Sequence, residues 1–571
     1  MPSSKTSPRR PHAEAAAPAA DTAGAIEKAL DALIVPYARS DAPGLVIGVA
    51  HRGRVLLRRG AGMASLEHAV GNTAGTRMRI GSASKQFTCL AVLLLEEDGL
   101  LHTDDPLDRH VPELPYPLGV PTLRQLMTHT GGMRCHIDVA SVAAGMEIQP
   151  RGTAMATMKR QVGANFAPGS AQIYCNSGYH LLSVVVERVS GMPFERFLDE
   201  RIFKPLGLHQ TESLPSDFQL RAGMATLHVP HPDGTPGRWQ RGIFPSQEVR
   251  GEGAMISTVD DMLAWLAHLR TAPRRVGSEA SWQAMFTPAV LDNGLPLPYA
   301  LGLFMATYRG LDTVYHTGAV AGGLCQMLTV PTQALDIVVM TNGAAVSPAA
   351  LAKKVIDTVL ADHLKGPATP KLATLRRFGH LDGTSWRDDG GAVIGFGKVG
   401  DKLGISCLFS PPGPLLRDEG HTLRVAPEDA GLGPFEFVAA ELRPDGSGRP
   451  PRQITMTDGG RPVRLRRVPA RAPSVGAMAT RLAGRYRSDE LDAEGVIAVE
   501  NDALVLRLAG SHGRAVVDLS PVAADLLRMA WRGELPQTMG ALRVDGDGLR
   551  IFTFRTRGAR LVRIPGQDTH P

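Results

Sequence analysis

The run from Phe87 to Leu95, Phe-Thr-Cys-Leu-Ala-Val-Leu-Leu-Leu, is apolar nearly all round. A helix with no polar face has no solvent side, so this segment is expected to lie buried, with the fold wrapped around it. Directly ahead of it stands Gly81-Ser82-Ala83-Ser84-Lys85-Gln86. Residues three apart on a helix share a face, which sets Lys85 beside the Ser82 hydroxyl on the first helical turn. Burial makes charging a lysine costly and favours the neutral amine that a base needs. Backbone N–H groups at the helix start favour a developing oxyanion near Ser82. Ser82 is thus the candidate nucleophile and Lys85 its candidate base. A lone Ser-x-x-Lys also reads as an ordinary capped helix, and needs context.

Two later stretches supply context. In Tyr174-Cys175-Asn176-Ser177-Gly178, an extended turn places a phenol and an amide on one side of the backbone, just ahead of a helical pattern. A phenol beside a cationic lysine is expected to have a lowered pKa and to carry protons. In Val314-Tyr315-His316-Thr317-Gly318-Ala319, a strand bears a ring, a hydroxyl and then a glycine, which would let substrate backbone approach. Each alone has a bland structural explanation. Their joint occurrence in this order does not.

With these three motifs the chain resembles the serine penicillin-recognising enzymes, the superfamily of serine β-lactamases, D,D-peptidases and esterases. The third motif begins with His316 where those relatives use lysine. That departure, with Ser82-Ala83-Ser84-Lys85-Gln86-Phe87-Thr88-Cys89, is similar to the D-stereospecific aminopeptidases in particular. Leu126-Met127-Thr128-His129-Thr130-Gly131-Gly132-Met133 and Gly253 to Met262 support the resemblance. Both read as architecture: the first as a helix ended by glycine, the second as an N-cap at Ser257 or Thr258 with an acid three residues on.

At 571 residues the chain is expected to hold several domains, and its 43% hydrophobic content suffices for packed cores. The formal charge of +6 is spread among interleaved acids and bases. Arg461, Arg464, Arg466 and Arg467 read as solvated strand positions, so no nucleic-acid partner is expected. Cys89, Cys135, Cys175, Cys325 and Cys407 are scattered and lack C-x-x-C spacing, which argues against disulfides and structural zinc. No metal or other cofactor is expected. The paired Arg9-Arg10 are not followed by an apolar stretch, and no membrane span is evident, so a cytoplasmic location and no membrane partner are expected.

Residues 1–24 read as a disordered tail and 25–365 as the catalytic domain. Strands near both ends of that domain enclose a helical centre, suggesting one antiparallel sheet flanked by helices. Linkers near 366–370 and 469–473 divide off two β units, 371–468 and 474–571. Leu381-Asp382-Gly383 and Leu482-Ala483-Gly484, each followed by a strand pattern, suggest that the two units repeat. The fold class is therefore α/β: a β-lactamase-like antiparallel sheet with a helical lobe, then two small antiparallel β-barrels. The resemblance implies the same order of parts.

The expected chemistry is acyl transfer through an acyl-enzyme. Ser82 attacks, Lys85 and Tyr174 relay its proton, and either is the formal base because coupled groups titrate together. By resemblance, the Ser82 and Ala319 N–H groups form the oxyanion hole, Asn176 orients Lys85 and the substrate amide, and Thr317 and Gly318 line the substrate. His316 is poorly suited to hold a substrate carboxylate, which disfavours β-lactamase and D,D-carboxypeptidase action. In the resembling family a loop of the last barrel enters the site and reads the substrate amine. The turn 532–538 is the candidate, with Glu534 as the amine's partner. Small peptides or amides with an N-terminal D-residue are the expected substrates and β-lactams the candidate inhibitors; a homodimer is left open. The competing readings are an esterase or amidase with no D-preference and a non-catalytic β-lactamase-like scaffold.

Overall fold

The computed structural model describes residues 20–343, 345–366, 370–388, 390–391, 393–425, 435–458, 461–533 and 539–565. Most of the expected tail and all of Glu534 lie outside the described residues; helix Ala20–Ile34 opens the described chain.

The helix Lys85–Glu97 is buried from Lys85 through Leu95. It packs against helices Asn176–Ser190 and Glu279–Phe286. Phe87 meets Trp265 with ring centroids 4.2 Å apart and Phe203 at 5.6 Å. The patterned run is thus the axis of the helical lobe, as its composition requires.

Beside it lies a six-stranded sheet in the order Phe304–Tyr308, Leu311–Val320, Gly323–Val330, Leu335–Thr341, Leu45–His51, Arg54–Ala61, antiparallel throughout. Arg52 and Gly53, at φ 53° and 80°, make the turn of its first hairpin. Along Leu335–Thr341, Ile337 and Val339 face a core with helices Ala20–Ile34 and Pro348–Val359. Val338 and Met340 face the helical lobe instead. Both faces are covered, which is why this strand carries no polar alternation. The expected sheet from both ends of the domain is present.

The two β units differ in closure. Residues 484–563 form a closed eight-stranded barrel. The preceding unit is an eight-stranded antiparallel sheet whose edge strands are joined by short bridges, Thr374 to Lys402, Leu372 to Arg417 and Gly404 to Leu415. Each unit opens with a short helix leading into its first strand, Leu375–Phe378 before Thr384–Arg387 and Val475–Leu482 before Gly484–Ser488.

The closed barrel is joined to the domain of the six-stranded sheet and helical lobe. Val139, Val142 and Ala143 of helix His136–Ala144 belong to the barrel's own apolar core. The Trp531 indole donates to the Val142 carbonyl at 3.0 Å. Arg134 and Glu490 pair across the junction at 3% and 5% side-chain exposure. Among the described residues no helix is long and apolar enough to cross a membrane. All five cysteines are free and buried.

Candidate active site

Ser82 sits in a 3-10 turn, Gly81–Ser84, that runs directly into helix Lys85–Glu97, rather than in the α-helix itself. Side chains three apart eclipse in a 3-10 turn, so the spacing argument survives the change. Lys85 Nζ donates to Ser82 Oγ at 3.1 Å, to Asn176 Oδ1 at 2.9 Å and to the Glu252 carbonyl at 2.5 Å. The turn is clamped from outside. The Ile80 amide donates to the Met255 carbonyl at 3.0 Å, and the Met255 amide to Ser84 Oγ at 3.1 Å. The 253–262 stretch therefore braces the turn, and its Thr258 caps the next helix by accepting from the Asp261 amide, as expected.

The strand Leu311–Val320 runs across the same turn. A side chain at Gly318 would place a Cβ 1.8 Å from the Ile80 carbonyl oxygen. The glycine thus admits this chain's own backbone, not the substrate's as its place in the motif suggested. Gly81, at φ +52°, lies against the Ala319 amide in turn. Thr317 and Ala319 point outward and line a cavity of about 1240 Å³ together with Ser82, His129 and Tyr174.

His316 points the other way. It is 1% exposed, with Nε2 3.1 Å from the Tyr299 hydroxyl and Nδ1 2.5 Å from the Thr317 carbonyl. Burial and the nearby Lys85 hold its pKa down to about 3, so the ring is neutral. Its centroid lies 6.3 Å from that of Tyr174.

Burial also brings the Lys85 pKa down to about 7, against the pull of the Glu252 carboxylate. Glu252 is fully enclosed; burial pushes its pKa up, but His180 and His136 outweigh that and hold it near about 2. His180 Nδ1 lies 3.2 Å from Glu252 Oε1. His136, His180 and Glu252 also form a group able to hold a metal ion.

Tyr174 departs from expectation. Burial raises its phenol pKa; Ser82 and Arg555 act in the opposite sense without cancelling this. The hydroxyl is enclosed, with Ser82 as the side chain that acts on it by hydrogen bonding. Lys85 Nζ stands 4.8 Å from the Tyr174 ring centre, and the His129 ring packs against Tyr174 with centroids 4.1 Å apart and planes tilted by 36°. His129 is no simple end to a helix. Helix Leu123–Met127 closes at Thr128, and it is His129, at φ 61°, that turns back so that its Nδ1 accepts from the Cys175 amide at 3.1 Å.

Ser82, Lys85, Tyr174 and Asn176 are therefore brought together, with Thr317 and Ala319 at the cavity wall and His316 and Gly318 buried behind it. The sequence reading missed Glu252, His129, Tyr299 and Arg555. Arg532 and Gly533 line the cavity, but the rest of the 532–538 turn lies outside the described residues. A second loop of the last barrel, Thr553 to Thr556, also reaches in.

The sequence pattern of the Beta-lactamase family matches residues 26–360, more than half of the chain. The chain belongs to the β-lactamase family. Beyond that domain it is 29% identical over 560 residues to a D-aminopeptidase of Cereibacter sphaeroides, covering 95% of this chain and 99% of that protein. It is 28% identical over 509 residues to a D-aminopeptidase of Brucella melitensis, covering 84% and 86%. Among solved structures, the octameric penicillin-binding protein homologue from Pyrococcus abyssi superposes with a TM-score of 0.52 at 17% identity, over 94% of this chain and 99% of that one. At that identity the likeness establishes the shared fold alone.

Proposed function

We propose that this chain is a D-stereospecific aminopeptidase, a serine hydrolase that releases N-terminal D-residues such as D-alanine from peptides, amides and esters. The observation that carries the chemistry is Lys85 Nζ, 3.1 Å from Ser82 Oγ and with a pKa brought down to about 7. Substrate preference is carried by the likeness to D-aminopeptidases over nearly the whole chain, both C-terminal β units included.

In this reading Ser82 Oγ bonds to the substrate carbonyl carbon while its proton passes to the neutral Lys85 amine. Lys85 is the better base of the pair, since Tyr174 is held protonated by burial. The negative oxygen is met by the Ser82 and Ala319 amides. The C–N bond then breaks, and Lys85 returns the proton to the leaving amine with the Tyr174 hydroxyl as relay. Water repeats the sequence on the Ser82 ester and frees the D-amino acid. Asn176 holds Lys85 in place. Neutral His316, bonded to Tyr299, orients the wall behind Tyr174, and Thr317 and Gly318 shape the strand that receives the substrate.

The test is direct. Intact-mass measurement after rapid quenching of a D-alanine ester reaction should show one acyl adduct, mapped by digestion to Ser82. An adduct elsewhere, or none while hydrolysis proceeds, contradicts the assignment.

A further inference from the structure

We propose that Arg555 is a carboxylate-binding subsite, and that the enzyme prefers dipeptides whose free C-terminal carboxylate lies one residue beyond the scissile bond. The inference rests on the aminopeptidase reading and narrows its substrate class.

Arg555 comes from the last barrel, in the loop between strands Gly548–Phe552 and Arg557–Arg563. Its guanidinium carbon sits 4.8 Å from the Tyr174 ring centre, and it lines the same cavity as Ser82. Stacking on the ring face leaves the guanidinium edge as a planar fork, which matches a carboxylate. Among the described residues no carboxylate forms an ion pair with the guanidinium; Cys135 is its side-chain hydrogen-bond partner, and Asp138 acts on it through space while bonding the Arg555 backbone.

The loop is held rigidly. Thr553 Oγ1 donates to the Asp138 carboxylate. The Arg555 carbonyl accepts from the Cys135 amide at 3.3 Å and from Asn165 Nδ2 at 3.0 Å, while the Arg557 amide donates to Asn165 Oδ1 at 2.8 Å. A pinned loop presents its cation without ordering cost at the moment of binding.

Among the described residues that line the cavity, Arg514, Arg532 and Arg557 are cations as well, and Arg532 is already paired with Asp518; Arg555 is the one of these that packs on Tyr174. His316 is neutral and faces away from the cavity, and Lys85 must be neutral to act. Arg555 thus brings its cation to the cavity from a different domain. It cannot serve the acyl half of the substrate, whose α-ammonium it would repel. The anion it meets therefore belongs to the leaving group. A dipeptide puts its carboxylate there; an amidated dipeptide or a tripeptide does not.

The experiment compares D-Ala-Gly with D-Ala-Gly-NH2 and D-Ala-Gly-Gly. For the wild-type enzyme kcat/KM should favour D-Ala-Gly by about tenfold or more, the scale of a charge-assisted pair. In Arg555→Met the ratio should fall to about one, and Arg555→Lys should restore part of it. The same ratio is read by calorimetry on Ser82→Ala, where it appears as affinity. Equal values for the free and amidated dipeptides, binding of neither, or a ratio that survives Arg555→Met overturns the subsite. If no D-aminoacyl compound is turned over while Ser82→Ala still discriminates the carboxylate, the aminopeptidase reading fails and the subsite stands.

Discussion

In the proposed mechanism Lys85 is the residue on which the chemistry turns. Its folded pKa of about 7 lies well below the ordinary lysine value because the ammonium loses its water. The amine is the competent form, so kcat/KM on D-alanine p-nitroanilide should climb as pH rises through about 7 and level off above it. The buried Glu252 carboxylate opposes this by favouring the ammonium. Glu252→Gln should therefore move the acidic limb of the profile to lower pH; a limb that stays put would mean that Lys85 does not set it. Ser82 and Lys85 were legible because three-residue spacing is a local property. Glu252 was not: its carbonyl reaches Lys85 across 167 positions, and nothing in Gly251-Glu252-Gly253 marks a partner. The Tyr174 phenol was misjudged for a related reason. Sequence showed the neighbouring lysine but not the burial that overrides it.

At the scale of elements, the 3-10 turn carrying Ser82 and the strand carrying Gly318 are one unit. A methyl at Gly318 would meet the Ile80 carbonyl at 1.8 Å, so Gly318→Ala must push the strand off the turn. Misplacement by about 1 Å costs roughly 100-fold in rate, and kcat should fall at least that far. Circular dichroism should remain near wild type; unchanged kcat would show that strand and turn move independently. The sheet was legible from the strand patterns near both ends of the domain. The closure of the β units was not, since closure depends on which edge strands meet rather than on any single strand's pattern.

For the whole molecule, the barrel and the catalytic domain share a core around Val139, Val142 and Ala143 and a buried pair, Arg134 with Glu490. Removing one partner strands the other's charge, at about 3–5 kcal/mol. Arg134→Met should lower the urea midpoint accordingly, and adding Glu490→Met should recover much of the loss; additive losses would argue against a coupled pair. The terminal barrel was visible as a repeat, but its entry into the site through Arg555 was not, because one arginine in a four-residue loop carries no pattern. Hydrolysis of D-aminoacyl bonds by Ser82 is tested by paired kcat/KM values for D- and L-alanine p-nitroanilide. The D-isomer should turn over, the L-isomer should be slower by about 100-fold or more, and neither should be cleaved by Ser82→Ala beyond a residual rate. Equal rates on the two isomers, or D-isomer turnover that survives Ser82→Ala, would contradict it.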